Sequence, residues 1–129
     1  MASAISTSEA PAALGPYSQA TVLPPGALLI YVSGQIPLHP NGTLTSGTIG
    51  EETAVCLSNA AAILEQAGTT LKNVIKATVF LTDMNDFAAV NAEYGGWFPG
   101  DVKPARSCVE VRKLPKGARV EIEVVAFIQ

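Results

Sequence analysis

The segment Lys103-Pro-Ala-Arg-Ser-Cys-Val-Glu-Val111, followed by Leu114-Pro115 and Val120-Glu-Ile-Glu123, sets an arginine, a thiol and the carboxylates Glu121 and Glu123 on two strand-like runs. Side chains alternate along a strand, so Arg106 and Cys108 share one face while Ser107 and Val109 take the other. Between the runs, Lys113-Leu-Pro-Lys-Gly-Ala118 reads as a turn, because Pro115 fixes φ and Gly117 tolerates positive φ. The two runs are therefore expected as an antiparallel hairpin with Glu121 near Cys108. Register decides that arrangement, since a one-residue slip turns Glu121 to the opposite face. The plain alternative is an exposed Arg106–Glu121 pair worth ~0–1 kcal/mol.

Upstream, residues 1–14 are rich in Ala, Ser and Pro and read as a loosely held arm. Tyr17–Leu23 and Leu28–Ser33 read as strands joined at Pro24-Pro-Gly26, a first hairpin. Pro37 to Gly47 is loop, with a short extended piece around Thr43–Thr45. Thr48-Ile-Gly-Glu51 has the form of a capping box, Ala54, Leu57, Ala61 and Leu64 recur at helical spacing, and Gly68 stops the pattern, which predicts a helix over 49–67. Val74–Leu81 has the β-branched content of a strand. Asp83 is placed to cap a second helix whose stripe of Phe87, Val90, Tyr94 and Trp97 ends at Pro99-Gly100. Gly95 and Gly96 weaken its last turn. The pattern predicts one α+β domain, a single sheet layer with two helices on one face and the other face left for a partner.

Composition bounds what such a domain does. The 129 residues suffice to bury one core, and a chain that is 48% hydrophobic and only 15% charged is apolar enough to predict association with copies of itself. A net charge of −3 gives no broad footprint for nucleic acid. Arg112, Lys113, Lys116 and Arg119 flank one turn and are expected to be solvated. No apolar run approaches the ~18–20 residues of a membrane span, and the start Met1-Ala-Ser-Ala has neither a signal core nor transit arginines, so the cytoplasm is expected, with a mitochondrial copy left open. Cys56 and Cys108 are the only cysteines and show no metal-ligand spacing, which fits reduced thiols rather than a disulfide. His39, the one histidine, lies in a Pro-rich loop and is expected to face solvent, which leaves Ser-His-Asp and Cys-His catalysis without support.

The run Pro104–Glu123, together with Gly15-Pro-Tyr-Ser-Gln19, Ser33-Gly-Gln-Ile-Pro37 and Asp83-Met-Asn-Asp-Phe-Ala-Ala-Val-Asn91, resembles the signature of the Rid family, the reactive intermediate deaminases also called YjgF-like proteins. Four strings in the family's order span nearly the whole chain. The resemblance implies a chorismate-mutase-like fold, a homotrimer with ligand sites in the clefts between subunits, and no cofactor. It implies hydrolysis of 2-imino and 2-enamino acids, such as 2-iminobutanoate and 2-iminopropanoate, to 2-oxo acids and ammonia. It places the substrate carboxylate on Arg106, gives water activation to Glu121 and a structural role to Glu123, and lines the pocket with Tyr17, Ser33, Gly34 and Asn91. The residue chemistry fits those roles. A guanidinium binds a carboxylate through two parallel charge-assisted bonds, and one carboxyl group suffices to orient water and shuttle protons. Gly34 admits a ligand that a Cβ would block. Imine hydrolysis needs no thiolate, so Cys108 is expected as a wall or hydrogen-bonding group of the pocket. Two other classes remain: a trimeric carboxylate-binding regulator that uses the same pocket without turnover, and an endoribonuclease or translation inhibitor.

Overall fold

The computed structural model describes residues 1–129. Helix α1, Ile49–Ala67, starts where sequence chemistry places it: Thr48 Oγ1 accepts from Glu51 N (3.1 Å), while Thr48 N donates to Glu51 Oε1 (3.2 Å). It stops at Gly68, whose φ of 92° is the left-handed cap that glycine adopts without strain. Thr53, Cys56, Leu57, Ala60 and Leu64 form its buried face. Ala54 and Ala61, expected on the core stripe, lie half-buried at its edge. Helix α2, Phe87–Trp97, buries Val90 and Tyr94 and leaves Phe87 and Trp97 half-buried against the core. Asp83 caps the 3₁₀ turn Met84–Asp86 that leads into α2, accepting from Asn85 N (2.9 Å), rather than the helix itself.

Six strands complete the chain: β1 Ser3–Ile5, β2 Ala20–Val22, β3 Leu28–Gln35, β4 Val74–Leu81, β5 Ala105–Glu110 and β6 Val120–Ile128. Four form one mixed sheet in the order β3-β6-β4-β5, with β6 antiparallel to both neighbours and β4 parallel to β5. Both helices cover the face carrying Ala77, Val79 and Leu81 of β4 and Val120, Ile122, Val124 and Ala126 of β6. The expected α+β layer with two helices on one face is thus present. Each fully buried Val, Leu or Ile side chain of that face contributes about 1.5–3 kcal/mol. No helix is long and apolar enough to cross a membrane.

Both expected hairpins are corrected. β5 and β6 are not neighbours, because β4 lies between them and reaches β5 through α2, the long crossover that a parallel pair requires. Four alternating residues of β6 are at most 1% exposed, a burial that a central strand secures and a peripheral hairpin arm does not. The turn chemistry at 115–117 is present, with Lys116 at φ 57° and Gly117 at φ 71°, but it delivers the chain past β5's neighbour. At the other end, β2 pairs with β1 instead of β3, so the N-terminal arm carries a strand. Thr21 Oγ1 donates to Ile75 O (2.7 Å), fixing β2 against the start of β4. The extended piece near Thr43–Thr45 is a single bridge, Leu38 to Leu44.

Candidate active site

Register places Arg106 opposite Ala77 and Cys108 opposite Val79, so both side chains lie on the helix-covered face. Arg106 is 9% exposed. Its Nη1 donates to Asn91 Oδ1 on α2 (2.7 Å), and its Cζ stands 4.9 Å from the Tyr94 ring centroid, 5.2 Å from that of Tyr17 and 5.7 Å from that of Phe87. The turn at Gly15 covers the other guanidinium edge. A Cβ there would lie 3.1 Å from Arg106 Nη2 and 3.2 Å from Asn91 Nδ2, closer than side chains normally pack. No carboxylate joins this group, since the one ion pair of the chain links Arg119 to Glu52. A buried cation held only by an amide oxygen and three ring faces keeps its charge uncompensated, which is expensive unless an anion arrives. Cys108, half-buried beside it, has its thiol pKa raised by burial, with the Arg106 charge pulling the other way.

Glu121 pairs with Phe80 and Glu123 with Thr78, which puts both carboxylates on the open face of the sheet. Beside Glu121, the β3–β6 register shifts between Val32 and Gln35, and the exposed pair Ser33-Gly34 forms the irregularity. The Glu121 side chain lies across Gly34. A Cβ built at Gly34 would fall 2.8 Å from Glu121 Cδ, so glycine is what lets the carboxylate rest there.

The structure therefore assembles two half-sites and not one. Arg106, Asn91, Cys108 and Tyr17 meet on the helix side, Ser33, Gly34 and Glu121 meet on the open side, and β4 separates the two strands that carry Arg106 and Glu121. The expected approach of Glu121 to Cys108 does not occur within the chain, and the exposed Arg106–Glu121 ion pair does not form either. Sequence reasoning missed Gly15, Phe87 and Tyr94 as neighbours of the guanidinium. The aromatic pair carried a signal only as an apolar helix stripe, and Gly15 only as part of a motif.

His39 is exposed and shares a 2.8 Å hydrogen bond with Thr45 Oγ1. No three His, Cys, Asp or Glu side chains cluster closely enough to hold a metal ion. Arg112, Lys113, Lys116 and Arg119 are all exposed as expected, and Arg119 is in addition ion-paired. Its Nε donates to Glu52 Oε2 (2.8 Å) and its Nη2 to Gly47 O (2.7 Å), tying the start of α1 to the start of β6.

The family described as Endoribonuclease L-PSP matches residues 7–128 of this sequence. A Mus musculus protein named 2-iminobutanoate/2-iminopropanoate deaminase is 49% identical over 123 residues, 95% of this chain and 88% of that protein. The solved structure of YyfA from Yersinia pestis, described as a protein of unknown function of the conserved Rid protein family, shares 47% identity and a TM-score of 0.75 over 99% of this chain and 100% of that one. The chain belongs to the Rid family. Another solved structure similar to this Rid protein, E. coli TdcF with bound serine, has 38% identity and a TM-score of 0.74 over 98% of this chain and 99% of that one.

Proposed function

We propose that this Rid protein hydrolyses reactive 2-imino and 2-enamino acids, 2-iminobutanoate and 2-iminopropanoate among them, to 2-oxo acids and ammonia. The observation that carries this reading is the buried Arg106 guanidinium, held by neutral partners and lacking any acid in its own chain. Only Nη1 is hydrogen-bonded within the chain, and the N–H groups left on the two Nη nitrogens suit the two oxygens of an α-carboxylate. The name of the mouse relative and the serine bound in TdcF support a small amino-acid-like ligand.

Hydrolysis then needs a water beside the held iminium carbon. Glu121 takes one proton as the water oxygen bonds to that carbon and returns it to the nitrogen; the C–N bond then breaks as the carbonyl forms, and the remaining hydroxyl proton passes through Glu121 to the departing ammonia. A protonated imino acid and water thus yield a 2-oxo acid and ammonium, with no oxidant and no cofactor.

Within one chain Glu121 faces away from Arg106, so the reading requires a second copy to bring its open sheet face to the first copy's arginine. Tyr31 (74% exposed) and Val109 (41%) on that face supply apolar surface for such a contact. The number three, a homotrimer, follows the Rid resemblance. A second reading, a carboxylate-binding regulator without turnover, is favoured by the same separation of Glu121 from Arg106. The ribonuclease reading gains nothing from a net charge of −3 and a single exposed histidine.

The test follows loss of 2-iminobutanoate, generated in place by threonine dehydratase, with wild type, Arg106→Ala, Glu121→Ala, and the two variants unfolded and refolded together. Wild type accelerates the loss and each variant alone does not. The mixture regains about a quarter of the wild-type sites, because randomly assembled interfaces pair an intact Arg106 with an intact Glu121 about that often. No acceleration by wild type refutes the deaminase reading, and an inactive mixture refutes the shared site.

A further inference from the structure

Two buried side-chain polar atoms of this chain have no hydrogen-bond partner, and they belong to neighbouring side chains: Arg106 Nε and the Tyr94 hydroxyl, with Arg106 Cζ 4.9 Å from the Tyr94 ring centroid. Buried polar atoms are nearly always satisfied, so two orphans in one contact call for an explanation. They are chemically complementary, since Nε–H only donates and the hydroxyl oxygen accepts. Tyr94 is fully buried, and its ring is clamped from behind by Phe98, 4.7 Å away between centroids. Burial raises its pKa, which keeps the hydroxyl protonated and neutral beside the cation. The remaining edges of the guanidinium are already guided, Nη1 by Asn91 and Nη2 by the Gly15 turn. Only its stem end is free to settle.

We propose that Tyr94 is a positioning residue for ligand recognition: its hydroxyl accepts from Arg106 Nε–H in the ligand-bound state, locking the plane of the guanidinium as a small carboxylate engages the Nη edge. The assignment rests on Arg106 being the carboxylate anchor of the proposed function. Hydrogen bonds in unliganded sites are often open and close with the ligand, so the free energy of closing this pair adds to affinity only when a carboxylate is bound. A Tyr94 that served packing alone would be better as phenylalanine, because an unpaired buried hydroxyl only costs stability.

The test is Tyr94→Phe, with 2-oxobutanoate as the binding probe and 2-iminobutanoate as the substrate. The variant is expected to melt at or above the wild-type midpoint while its Kd and KM rise about tenfold, with kcat nearly unchanged. In wild type, the Arg106 Nε–H signal in nitrogen-15 NMR becomes protected from exchange when 2-oxobutanoate is added, and Tyr94→Phe abolishes that protection. Wild-type Kd, or protection that survives in Tyr94→Phe, overturns the assignment and leaves the deaminase reading intact. Tenfold weaker binding by the variant of a wild type that binds without turnover upholds Tyr94 and sinks the deaminase reading. A wild type that neither binds nor turns over refutes both.

Discussion

Arg106→Lys separates the charge of the anchor from its shape. Lysine keeps one positive charge in the same buried position but gives up the planar fork and the stacking on three rings that lie 4.9–5.7 Å from the guanidinium carbon. In the wild-type geometry Nη1 is engaged by Asn91 Oδ1 at 2.7 Å, and the outer N–H groups are left to meet two carboxylate oxygens. A lysine must divide its donors between Asn91 and the ligand from a single nitrogen, losing at least one of two parallel bonds. A charge-assisted bond contributes about 1.5–3 kcal/mol, so the affinity for 2-oxobutanoate should fall about 10- to 150-fold. The assay is calorimetric titration of both proteins with 2-oxobutanoate at one fixed ionic strength, because screening alters the charge contribution. If affinity stays within about threefold of wild type, a buried charge alone suffices and the bidentate reasoning is wrong.

Gly34→Ala should leave the fold standing, because the atoms a Cβ meets belong to the mobile end of Glu121, but the displaced carboxylate should lower kcat about 100-fold on 2-iminobutanoate. Unchanged kcat in a well-folded variant would remove Glu121 from the reaction. Alkaline denaturation tests the core around Cys56, whose thiol pKa is pushed up to about 12 from 9.0, first by burial and then by Glu52. The folded state keeps a proton that the unfolded chain releases, so this stabilisation is complete below pH 9 and is lost as the pH rises through about 12. Between those limits stability should fall by about 1.4 kcal/mol per pH unit from this group, and urea titrations of Cys56→Ala should show a slope shallower by that amount.

What the sequence made legible was local. Thr48, Glu51 and Gly68 carry the start and stop of α1 in their own chemistry, and Val74–Leu81 carries its strand in β-branched content, so both elements lie within the predicted bounds. Strand pairing was not local. Pro115 and Gly117 do form a turn, yet the partner of β5 is β4, which is flanked by a strand at each edge, an arrangement set by long-range pairing that no short window contains. The parity argument placed Arg106 and Cys108 on one face correctly, but parity along one strand says nothing about the face of a strand two places away. Glu121 was therefore placed with the wrong neighbours in the chain. Tyr94 and Phe87 were read as core, and they are, with a guanidinium laid against them that a helix stripe does not reveal.

The position of β6 has a consequence for how the protein is made. Val120–Ile128 is the last strand in chain order, yet it is the sole sheet partner of β3 and the inner partner of β4. On a ribosome adding about 5–20 residues per second, β3 waits several seconds with both edges open while the rest of the chain emerges. Nothing but β6 can join the two parts of the sheet. Nascent chains stalled before residue 120 should thus carry exposed strand edges and engage chaperones or proteases, whereas emergence of β6 lets β3 and β4 join into one sheet. Proteolytic clipping inside β6 should return the whole domain to that vulnerable condition rather than fray one border.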